Sequence, residues 1–283
     1  MHGSIIIPAH NEERLLPGCL KALADQPGIE GFEVIVVVNG STDRSAEVAR
    51  AASDLIPGLV VVETPTGGKA NALNLGDSHA TLFPRIYLDA DIQLSPGTVR
   101  SLWEALNVDE PRAAAPHIRF DTEGTDAVVR GFYAIYERLP YVTEGLIGLG
   151  IYALSEKGRQ RFDAFPELTA DDLFVQRLFT LDERITVPGE FVVRVPRRWQ
   201  DLLAVRTRAA QGSQELAAAP PVPGMDAAMT TRSTAQALVE LLRRRPGLIP
   251  AAAVYSGITV AARVRSRRTP QQWHRDESSR QQS

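Results

Sequence analysis

The chain has 283 residues, of which 44% are hydrophobic and 23% are charged, and its formal net charge is -3. This length allows one large hydrophobic core or one domain with an extension, and the composition is ordinary for a soluble globular protein. The weak negative charge excludes a global basic field of the kind that recruits nucleic acid. The single cysteine, Cys19, excludes an internal disulfide and a thiolate metal cluster, and its apolar helical surroundings predict a buried thiol.

The first part of the chain alternates strand and helix patterns, which predicts parallel strands connected by helices. Strands are predicted at residues 4–8, 32–38, 59–63 and 85–88, and helices at 12–25, 44–53, 69–79 and 95–106. The second strand is a continuous β-branched run, which is typical of a strand that is buried on both faces. No secretory signal precedes the first strand, so we expect a cytoplasmic protein.

The second part of the chain mixes the two patterns. Strands are predicted at residues 112–118 and 150–154, and a strand, turn and second strand at 184–194 around Pro188 and Gly189. Helices are predicted at residues 127–141, 173–181, 200–216, 233–245 and 250–265. A proline-rich stretch predicts a boundary, and the polar, basic end of the chain predicts disorder. We therefore predict one α/β domain over residues 1–216 with halves that meet near residue 110, a helical extension over 217–266 and a disordered tail over 267–283.

Polar clusters follow each of the four predicted parallel strands. They are Pro8-Ala9-His10-Asn11-Glu12, Asn39-Gly40-Ser41-Thr42-Asp43, Gly67-Gly68-Lys69-Ala70-Asn71 and Asp89-Ala90-Asp91. Ligands of an open parallel sheet bind beyond the carboxyl ends of its strands, so we expect the clusters to converge on one site. Residues of the first two clusters, Glu12 and Asp43 among them, have an alternative interpretation as helix caps.

Asp89 and Asp91 are alternate residues directly after an apolar strand. Carboxylate oxygens suit Mg²⁺ or Mn²⁺, which bind through few protein ligands and complete their shell with substrate phosphates. We therefore predict a metal site here, and the alternative is a solvated turn in which Asp91 caps the next helix.

Gly68 and Lys69 offer backbone amides and a cation to an anion. No complete P-loop surrounds them, and the first strand is not followed by G-x-G-x-x-G. Both absences disfavour a nucleoside triphosphatase and a dinucleotide-binding oxidoreductase.

The four clusters, with Gly68-Lys69-Ala70-Asn71-Ala72-Leu73-Asn74, resemble family 2 glycosyltransferases of the GT-A fold over about residues 4–216. The resemblance implies an α/β fold with a Rossmann-like, doubly wound mixed sheet flanked by helices. It implies an inverting enzyme that uses a nucleotide sugar, usually a UDP-sugar, together with Mg²⁺ or Mn²⁺. It also implies donor-nucleotide contacts from Pro8, Ala9, Glu12, Asn39, Asp43, Lys69, Asp89 and Arg208, and metal binding by Asp91 with Asp89.

The family places its catalytic carboxylate in an acidic pair at the start of a later helix, and Asp171 and Asp172 match that pair. Counting back from Arg177 in the family pattern selects Asp171 as the general base, whereas matching the pair itself selects Asp172. Both remain candidates, and the alternative is a pair that only satisfies the helix dipole. Two close carboxylates titrate together, and one of them can acquire a raised pKa that suits general base catalysis.

The pyrophosphate-binding element of the family resembles residues 206–212, in which Arg208 and Gly212 fit the pattern and Ala209 replaces the usual tryptophan. This replacement removes the expected stacking on the acceptor, for which Trp199 is a candidate substitute. Gly148 and Gly150 resemble the strand beneath the acceptor site, where a missing side chain lets an acceptor approach the backbone. Tight packing is the alternative explanation of these two glycines.

The implied reaction is one displacement, in which an acceptor hydroxyl loses its proton to Asp171 or Asp172 and attacks the anomeric carbon. The sequence leaves the hydroxyl acceptor open, and a lipid-linked or a glycan acceptor are the two candidates. One alternative function is a sugar nucleotidyltransferase, which would need a G-x-G-[ST]-R loop after the first strand. The other is a non-catalytic protein that binds nucleotide sugars.

The C-terminal segment 248–262 is largely apolar and is followed by Arg263, Arg265, Arg267 and Arg268. It has no run of about 18 uninterrupted apolar residues, so a full membrane span is not expected. Two interpretations remain, a helix packed on the catalytic domain and a helix at the inner face of the membrane that makes a peripheral contact with lipid.

Overall fold

The computed structural model of the chain describes residues 1–145, 147–168, 170–218 and 234–268. Most of the proline-rich stretch 217–224, where the boundary is predicted, and most of the predicted disordered tail lie outside the described residues. Cys19 is fully buried, as its helical surroundings predicted.

Seven strands, eleven α-helices and three short 3₁₀ helices make up the regular structure of the described residues. The strands are β1 (Gly3–Ala9), β2 (Phe32–Asn39), β3 (Leu59–Thr64), β4 (Arg85–Leu88), β5 (Ala113–Asp121), β6 (Ile151–Leu154) and β7 (Arg184–Arg194). The first six helices are α1 (Leu16–Ala24), α2 (Ser45–Ala51), α3 (Lys69–His79), α4 (Thr98–Leu106), α5 (Ala127–Tyr136) and α6 (Pro140–Thr143). They are followed by α7 (Glu156–Arg159), α8 (Asp171–Gln176), α9 (Trp199–Ala218), α10 (Thr234–Arg244) and α11 (Ile249–Ser266).

The strands form one mixed sheet in the order β3-β2-β1-β4-β6-β5-β7. The pairs β1–β2, β1–β4, β2–β3 and β5–β7 are parallel, whereas β6 runs antiparallel to both β4 and β5. The carboxyl ends of β1 to β4 therefore lie at one edge of the sheet. Because β6 is antiparallel, the loop that precedes it lies at the same edge, where the Asp89 amide donates to the Gly150 carbonyl at 2.8 Å.

Hydrophobic side chains on the two faces of the sheet form separate cores. In β1, Ile5 and Ile7 pack in one core with α1 and α4, while Ile6 packs in the other with α3 and α8. This burial on both faces explains the continuous apolar runs of the central strands. A third core joins α5 and α9 to the C-terminal helices, and Phe132 and Ile258 are among its buried members.

Several predicted boundaries move, each for a local reason. The first helix begins at Leu16 rather than at residue 12, with Pro17 in its first turn. The helix predicted to reach residue 141 ends at Tyr136, because Pro140 holds Leu139 in an extended conformation, and α6 begins after it. The fourth helix begins at Thr98 rather than at residue 95.

Residues 184–194 form one strand rather than the predicted strand, turn and strand. The pairing of β5 with β7 jumps from Val187 to Glu190, so Pro188 and Gly189 form a bulge. Gly189 has a φ of +112°, and a Cβ there would lie 2.4 Å from the hydroxyl oxygen of Thr98. The bulge lets the Glu190 amide donate to the Ser95 hydroxyl at 2.8 Å, which fixes the start of α4 against β7.

The last helix, α11, packs on α5 and α9 through one face, which includes Ala252, Ile258 and Ala262. The packed-helix interpretation is therefore correct for this face. Its other face is exposed and carries Ile249 and Val260. Among the described residues, Pro246–Ser266 is the one helical segment that is long and apolar enough to cross a membrane, a test that core helices of soluble proteins also pass.

Candidate active site

A cavity of ≈ 720 Å³ opens at the carboxyl ends of β1 to β4. Most of the predicted donor and metal residues line it, namely Pro8, Glu12, Asn39, Lys69, Asp89, Asp91 and Arg208. The predicted site residues that are not among the lining residues are Ala9, Asp43, Gly148, Gly150, Asp171, Asp172 and Trp199. The convergence that the parallel sheet predicts is therefore present for all four clusters, although not for every residue in them.

Asn39, the last residue of β2, connects three of the strand-end loops. Its side-chain amide donates to the Ala9 carbonyl at 2.9 Å, and its side-chain oxygen accepts from the Gly68 amide at 3.0 Å. Its backbone carbonyl lies 2.6 Å from Nδ1 of His10. Ala9 and Asn39 thus shape the cavity by fixing the two loops that carry His10 and Gly68.

Asp43 lies in the turn before α2 and is held by protein groups. One carboxylate oxygen accepts from the Glu13 amide at 3.0 Å, and the other accepts from the amide and the hydroxyl of Ser45 at 3.0 and 2.5 Å. Burial alone would raise the pKa of Asp43, but these hydrogen bonds lower it below its ordinary value. The carboxylate therefore stays charged and joins the first two loops. It bonds to Ser45, the first residue of α2, although the N-cap position itself is occupied by Arg44.

Lys69 is shared between two carboxylates. It is the first residue of α3, and its Nζ lies 2.9 Å from Oδ1 of Asp89 and 3.1 Å from Oδ1 of Asp171. Burial alone would lower the pKa of Lys69, but the two carboxylates raise it above its ordinary value. A permanent cation therefore stands between the predicted metal residues and the predicted general base.

Asp171 is buried at the start of α8. Its contact with the cavity is through Lys69, which lines the cavity and binds the Asp171 carboxylate. The Tyr152 hydroxyl donates to its Oδ2 at 3.2 Å. Burial raises the pKa of Asp171 to about 6, with Lys69 acting in the opposite direction and Asp172 adding to the rise. This carboxyl group therefore changes its charge close to neutral pH, as a general base needs to do.

Asp172 has a different environment from its neighbour. Its Oδ2 accepts from the Leu149 amide at 3.3 Å, and its Oδ1 accepts from the Leu173 amide at 2.7 Å. Both oxygens therefore hold backbone groups of the loop before β6 and of its own helix. The two members of the acidic pair thus face different partners, which the sequence could not show.

Gly148 and Gly150 allow this loop to pack. A Cβ on Gly148 would lie 2.5 Å from the Cβ of Asp172, and a Cβ on Gly150 would lie 2.6 Å from the Cδ1 of Ile92. Both residues have a positive φ, of +125° and +121°. The contacts match the tight-packing explanation, and the residue between them, Leu149, is the one that lines the cavity.

Asp89 and Asp91 offer a metal ion two carboxylates at the cavity surface. Within the described part of the chain, no group of three or more His, Cys, Asp or Glu side chains is gathered for a metal. Two oxygen ligands fit Mg²⁺ or Mn²⁺ that arrives with substrate phosphates, because these ions use few protein ligands in such sites. The Lys69 ammonium, 2.9 Å from Asp89, shows that this carboxylate already attracts a cation.

The far end of the cavity is lined by groups that the sequence did not single out. They include Phe120 of β5, Tyr133 and Tyr136 of α5, and Val205 and Arg206 of α9. The Arg206 guanidinium lies 4.8 Å from the centroid of the Tyr136 ring. A spacing of three on a helix places the two tyrosines on one side, but only the packing of α5 against β5 and α9 shows that this side meets the cavity.

Tyr152 is the second contribution that the sequence did not reveal. It lies on β6, its ring stacks on Tyr87 with centroids 4.9 Å apart, and its hydroxyl reaches Asp171. Burial and the neighbouring Asp171 raise the pKa of Tyr152 well above its ordinary value, so the phenol keeps its proton and donates. Its position inside a predicted strand was the one available signal.

The sequence and the fold match known proteins. The model of glycosyl transferase family 2 matches residues 4–152, which is more than half of the 283 residues. A 4,4'-diaponeurosporenoate glycosyltransferase of Staphylococcus haemolyticus is 37% identical over 94 residues, which cover 32% of this chain and 24% of the relative. An undecaprenyl-phosphate 4-deoxy-4-formamido-L-arabinose transferase of Edwardsiella ictaluri is 37% identical over 108 residues, which cover 36% of this chain and 33% of the relative. The chain spans at most about a third of the length of these two relatives.

Among solved structures, the fold is similar to a mannosyltransferase of Pyrobaculum calidifontis in complex with GDP-Man and Mn²⁺. The TM-score is 0.65 at 21% identity, and the match covers 94% of this chain and 87% of that one. The predicted α/β GT-A fold, with a mixed sheet flanked by helices and helices at the C-terminal end, is therefore confirmed.

Proposed function

The chain belongs to glycosyl transferase family 2 and is an enzyme of that class, and on this premise we propose that it moves a sugar from a nucleotide-sugar donor to an acceptor oxygen with inversion. The observation that carries the proposal is that Lys69, which lines the cavity with Asp89, contacts both Asp89 and the buried Asp171. This arrangement places a metal-binding carboxylate, a cation for the phosphates and a buried carboxyl group within reach of one another.

The donor occupies the end of the cavity that the strand-end loops form. Pro8, Glu12 and Asn39 line this end for the nucleoside, and Lys69 and Arg208 supply positive charge for the diphosphate. The mannosyltransferase with the similar fold binds GDP-Man with Mn²⁺, which supports a nucleotide sugar as the donor class. The family resemblance favours a UDP-sugar, and a comparison of UDP, GDP and TDP binding identifies the nucleobase.

Asp89 and Asp91 would hold the divalent ion together with the donor phosphates. A bound Mg²⁺ or Mn²⁺ supplies positive charge that stabilises the leaving diphosphate. Lys69 adds to this charge from the protein side, and donor binding shifts its ammonium from the carboxylates toward the phosphates.

Asp171 is the proposed general base. The acceptor oxygen gives its proton to the Asp171 carboxylate and forms a bond to the anomeric carbon, and the bond from that carbon to the diphosphate oxygen breaks with its electron pair on the leaving group. The attack and the departure occur on opposite faces, so the configuration inverts. Tyr152 positions the carboxylate, while Asp172 holds the Leu149 loop.

The test is a thermal-shift panel with UDP, GDP, TDP and their sugars, with and without Mn²⁺, followed by an assay of released products. One nucleotide should raise the melting temperature only with the metal, because a ligand at about 100 times its Kd adds about 2.7 kcal/mol of stability. Transfer should release a nucleoside diphosphate. Release of pyrophosphate would indicate a sugar nucleotidyltransferase, and binding without turnover over many acceptors would indicate a non-catalytic binding protein.

We further propose that α11 makes a peripheral contact with an anionic membrane surface. Its exposed apolar side chains Ile249, Val260 and Val264 are spaced by 11 and 4 residues, about three turns and one turn, so they lie along the face opposite to the packed one. Arg263, Arg265, Arg267 and Arg268 lie at its C-terminal end. Apolar side chains with adjacent arginines complement a lipid surface of negative charge.

A further inference from the structure

The cavity has two ends of different chemistry. The end at the strand-end loops is formed by polar and glycine residues such as His10, Asn39 and Gly68. The opposite end carries aromatic and aliphatic side chains, together with charged ones such as Arg194 and Arg206. We call its aromatic and aliphatic members the apolar wall, namely Phe120, Tyr133, Tyr136, Leu149, Val193 and Val205. A nucleotide sugar accounts for the first end and leaves the apolar wall for the acceptor.

The apolar wall is fixed by packing rather than open to rearrangement. The ring of Phe120 lies 4.8 Å from that of Tyr133 and 5.6 Å from that of Tyr136, centroid to centroid. The Arg206 guanidinium stacks on Tyr136 from α9. A wall whose side chains hold one another in place binds an apolar group with little loss of conformational freedom.

The apolar wall adjoins the acidic pair. Leu149 belongs to the wall, and its amide donates to Asp172, the neighbour of the proposed general base, at 3.3 Å. A group seated on the wall therefore lies beside the acidic pair, where an acceptor oxygen must give up its proton.

A free sugar is a poor occupant of such a wall. Its hydroxyl groups would lose water against the aliphatic side chains of Leu149, Val193 and Val205 without gaining hydrogen bonds in return.

Resting on the proposed glycosyl transfer, we infer that the acceptor is an amphiphile whose hydrocarbon body packs on the apolar wall and whose polar head carries the attacking oxygen. Arg194 and Arg206 line the cavity next to Val193 and Val205. The head can therefore be a hydroxyl, which gives its proton to Asp171, or an anion, which attacks without losing a proton. The two helices that contribute to the wall, α5 and α9, are also those on which α11 packs. Helices α5 and α9 therefore support both the acceptor site and the proposed lipid-facing helix.

The first test uses the full chain with Mn²⁺ and the nucleotide sugar identified by the thermal-shift panel. Three probes share one farnesyl chain and differ in the head, namely farnesol, farnesoic acid and farnesyl phosphate, and two saccharides, N-acetylglucosamine and maltose, are the comparison. At least one farnesyl probe should bind and raise the release of nucleoside diphosphate about tenfold or more over the acceptor-free rate, and the saccharides should not. The head group that is active identifies the chemistry of the attacking oxygen.

The results that would contradict the amphiphilic acceptor differ from those that would contradict the proposed glycosyl transfer. If a saccharide is glycosylated and no farnesyl probe is, or if no farnesyl probe binds while the nucleotide still shifts the melting temperature, the acceptor is not an amphiphile of this kind. If no nucleotide shifts the melting temperature, the proposed donor site itself is wrong, and the inference falls with it.

The second test alters the apolar wall. Val205→Asn and, as a milder change, Val193→Thr should weaken binding of the active farnesyl probe, by about tenfold for Val205→Asn. The nucleotide-induced thermal shift should persist in both variants, which shows that they fold. Val60→Asn is the matched control, because Val60 is an exposed valine on β3 that does not line the cavity. Unchanged probe affinity in Val205→Asn and Val193→Thr would overturn the inference.

Discussion

At the residue scale, the site depends on how one ammonium is shared between two carboxylates. Lys69 contacts Asp89 and Asp171, so the residues proposed for metal binding and for proton removal are electrostatically connected. Asp172, the next residue along the chain, is bonded to backbone amides instead. This difference separates two carboxyl groups that the sequence treats as equivalent.

We expect Asp171→Asn to lower kcat by about 10²–10⁴-fold, because an amide cannot accept the acceptor's proton. Asp172→Asn is the comparison, since it preserves the shape but removes the charge and one of the two hydrogen bonds that Asp172 accepts from backbone amides. Its effect should be clearly smaller. The measurement is the initial rate of nucleoside diphosphate release at saturating donor. A large loss in Asp172→Asn with none in Asp171→Asn would exchange the two assignments.

The pH dependence provides a separate prediction. Burial raises the pKa of Asp171 to about 6, so the carboxylate that accepts a proton is depleted below that pH and present above it. The value of kcat/KM should therefore rise as the pH increases through about 6 and then level off. Tyr152→Phe removes the hydrogen bond to Asp171 and should move this limb of the profile toward higher pH, because that bond favours the charged form. If the pH profile of Tyr152→Phe is the same as that of the unaltered chain, Tyr152 does not position Asp171.

The metal assignment predicts a different signature. Asp91→Asn removes one of two carboxylates from the ion, so the variant should need a higher Mn²⁺ concentration for half-maximal activity and lose rate at low metal. Glu13→Gln is a suitable comparison, because this carboxylate belongs to the neighbouring loops and does not line the cavity. A metal titration that is the same in Asp91→Asn and in the unaltered chain would remove Asp91 from the site.

At the scale of elements, α11 combines two faces with different partners. Ala252, Ile258 and Ala262 pack on α5 and α9, whereas Ile249 and Val260 are more than half exposed, at 56% and 59%. Exposed apolar side chains in one stripe of a helix mark an interaction surface. The neighbouring arginines favour an anionic one, at about 1 kcal/mol for each arginine near such a surface.

We expect the full chain to float with vesicles rich in phosphatidylglycerol, and less with phosphatidylcholine or at high salt. Replacing the exposed apolar residues of α11 in Ile249→Ser, Val260→Ser and Val264→Ser together should abolish flotation. The matched control carries Leu55→Ser, Val60→Ser and Leu181→Ser, which remove three exposed apolar residues from other surfaces. Equal flotation of the two triple variants would reject α11 as the contact.

At the scale of the whole molecule, the C-terminal helices and the acceptor half share one core. Phe132, Tyr136 and Leu202 pack in the same buried cluster as Ala252 and Ile258. The extension predicted from the sequence is therefore attached through apolar contacts to the helices that line the apolar end of the cavity. We propose that it stabilises this half of the molecule.

Ile258→Ala should accordingly destabilise the protein by about 2–5 kcal/mol, the usual range for deleting a buried aliphatic side chain. Val260→Ala on the same helix is the matched control, and its effect should be small because Val260 is exposed. Thermal unfolding followed by far-ultraviolet circular dichroism measures both. If Ile258→Ala and Val260→Ala melt together, the extension contributes little to the folded state.

The sequence by itself determined the α/β architecture of the first half and the approximate site. The alternation of β-branched runs with helical patterns indicates parallel strands, and the carboxyl ends of such strands meet at one edge of a sheet. Asn39, Lys69 and Asp89 therefore came together as their positions after β2, before α3 and after β4 predicted. Local patterns are sufficient for this because strand direction and side-chain alternation are set by neighbouring residues.

Only the tertiary structure decided which groups share a proton, a cation or an apolar surface. Tyr152 reaches Asp171, and Leu149 reaches Asp172, because β6 runs antiparallel beside β4 and brings its preceding loop to the site. The apolar wall exists because the tyrosines of α5 pack against Phe120 of β5 and against Arg206 of α9. These contacts join residues far apart in the chain, and their geometry follows from strand order, register and packing, which no local pattern encodes.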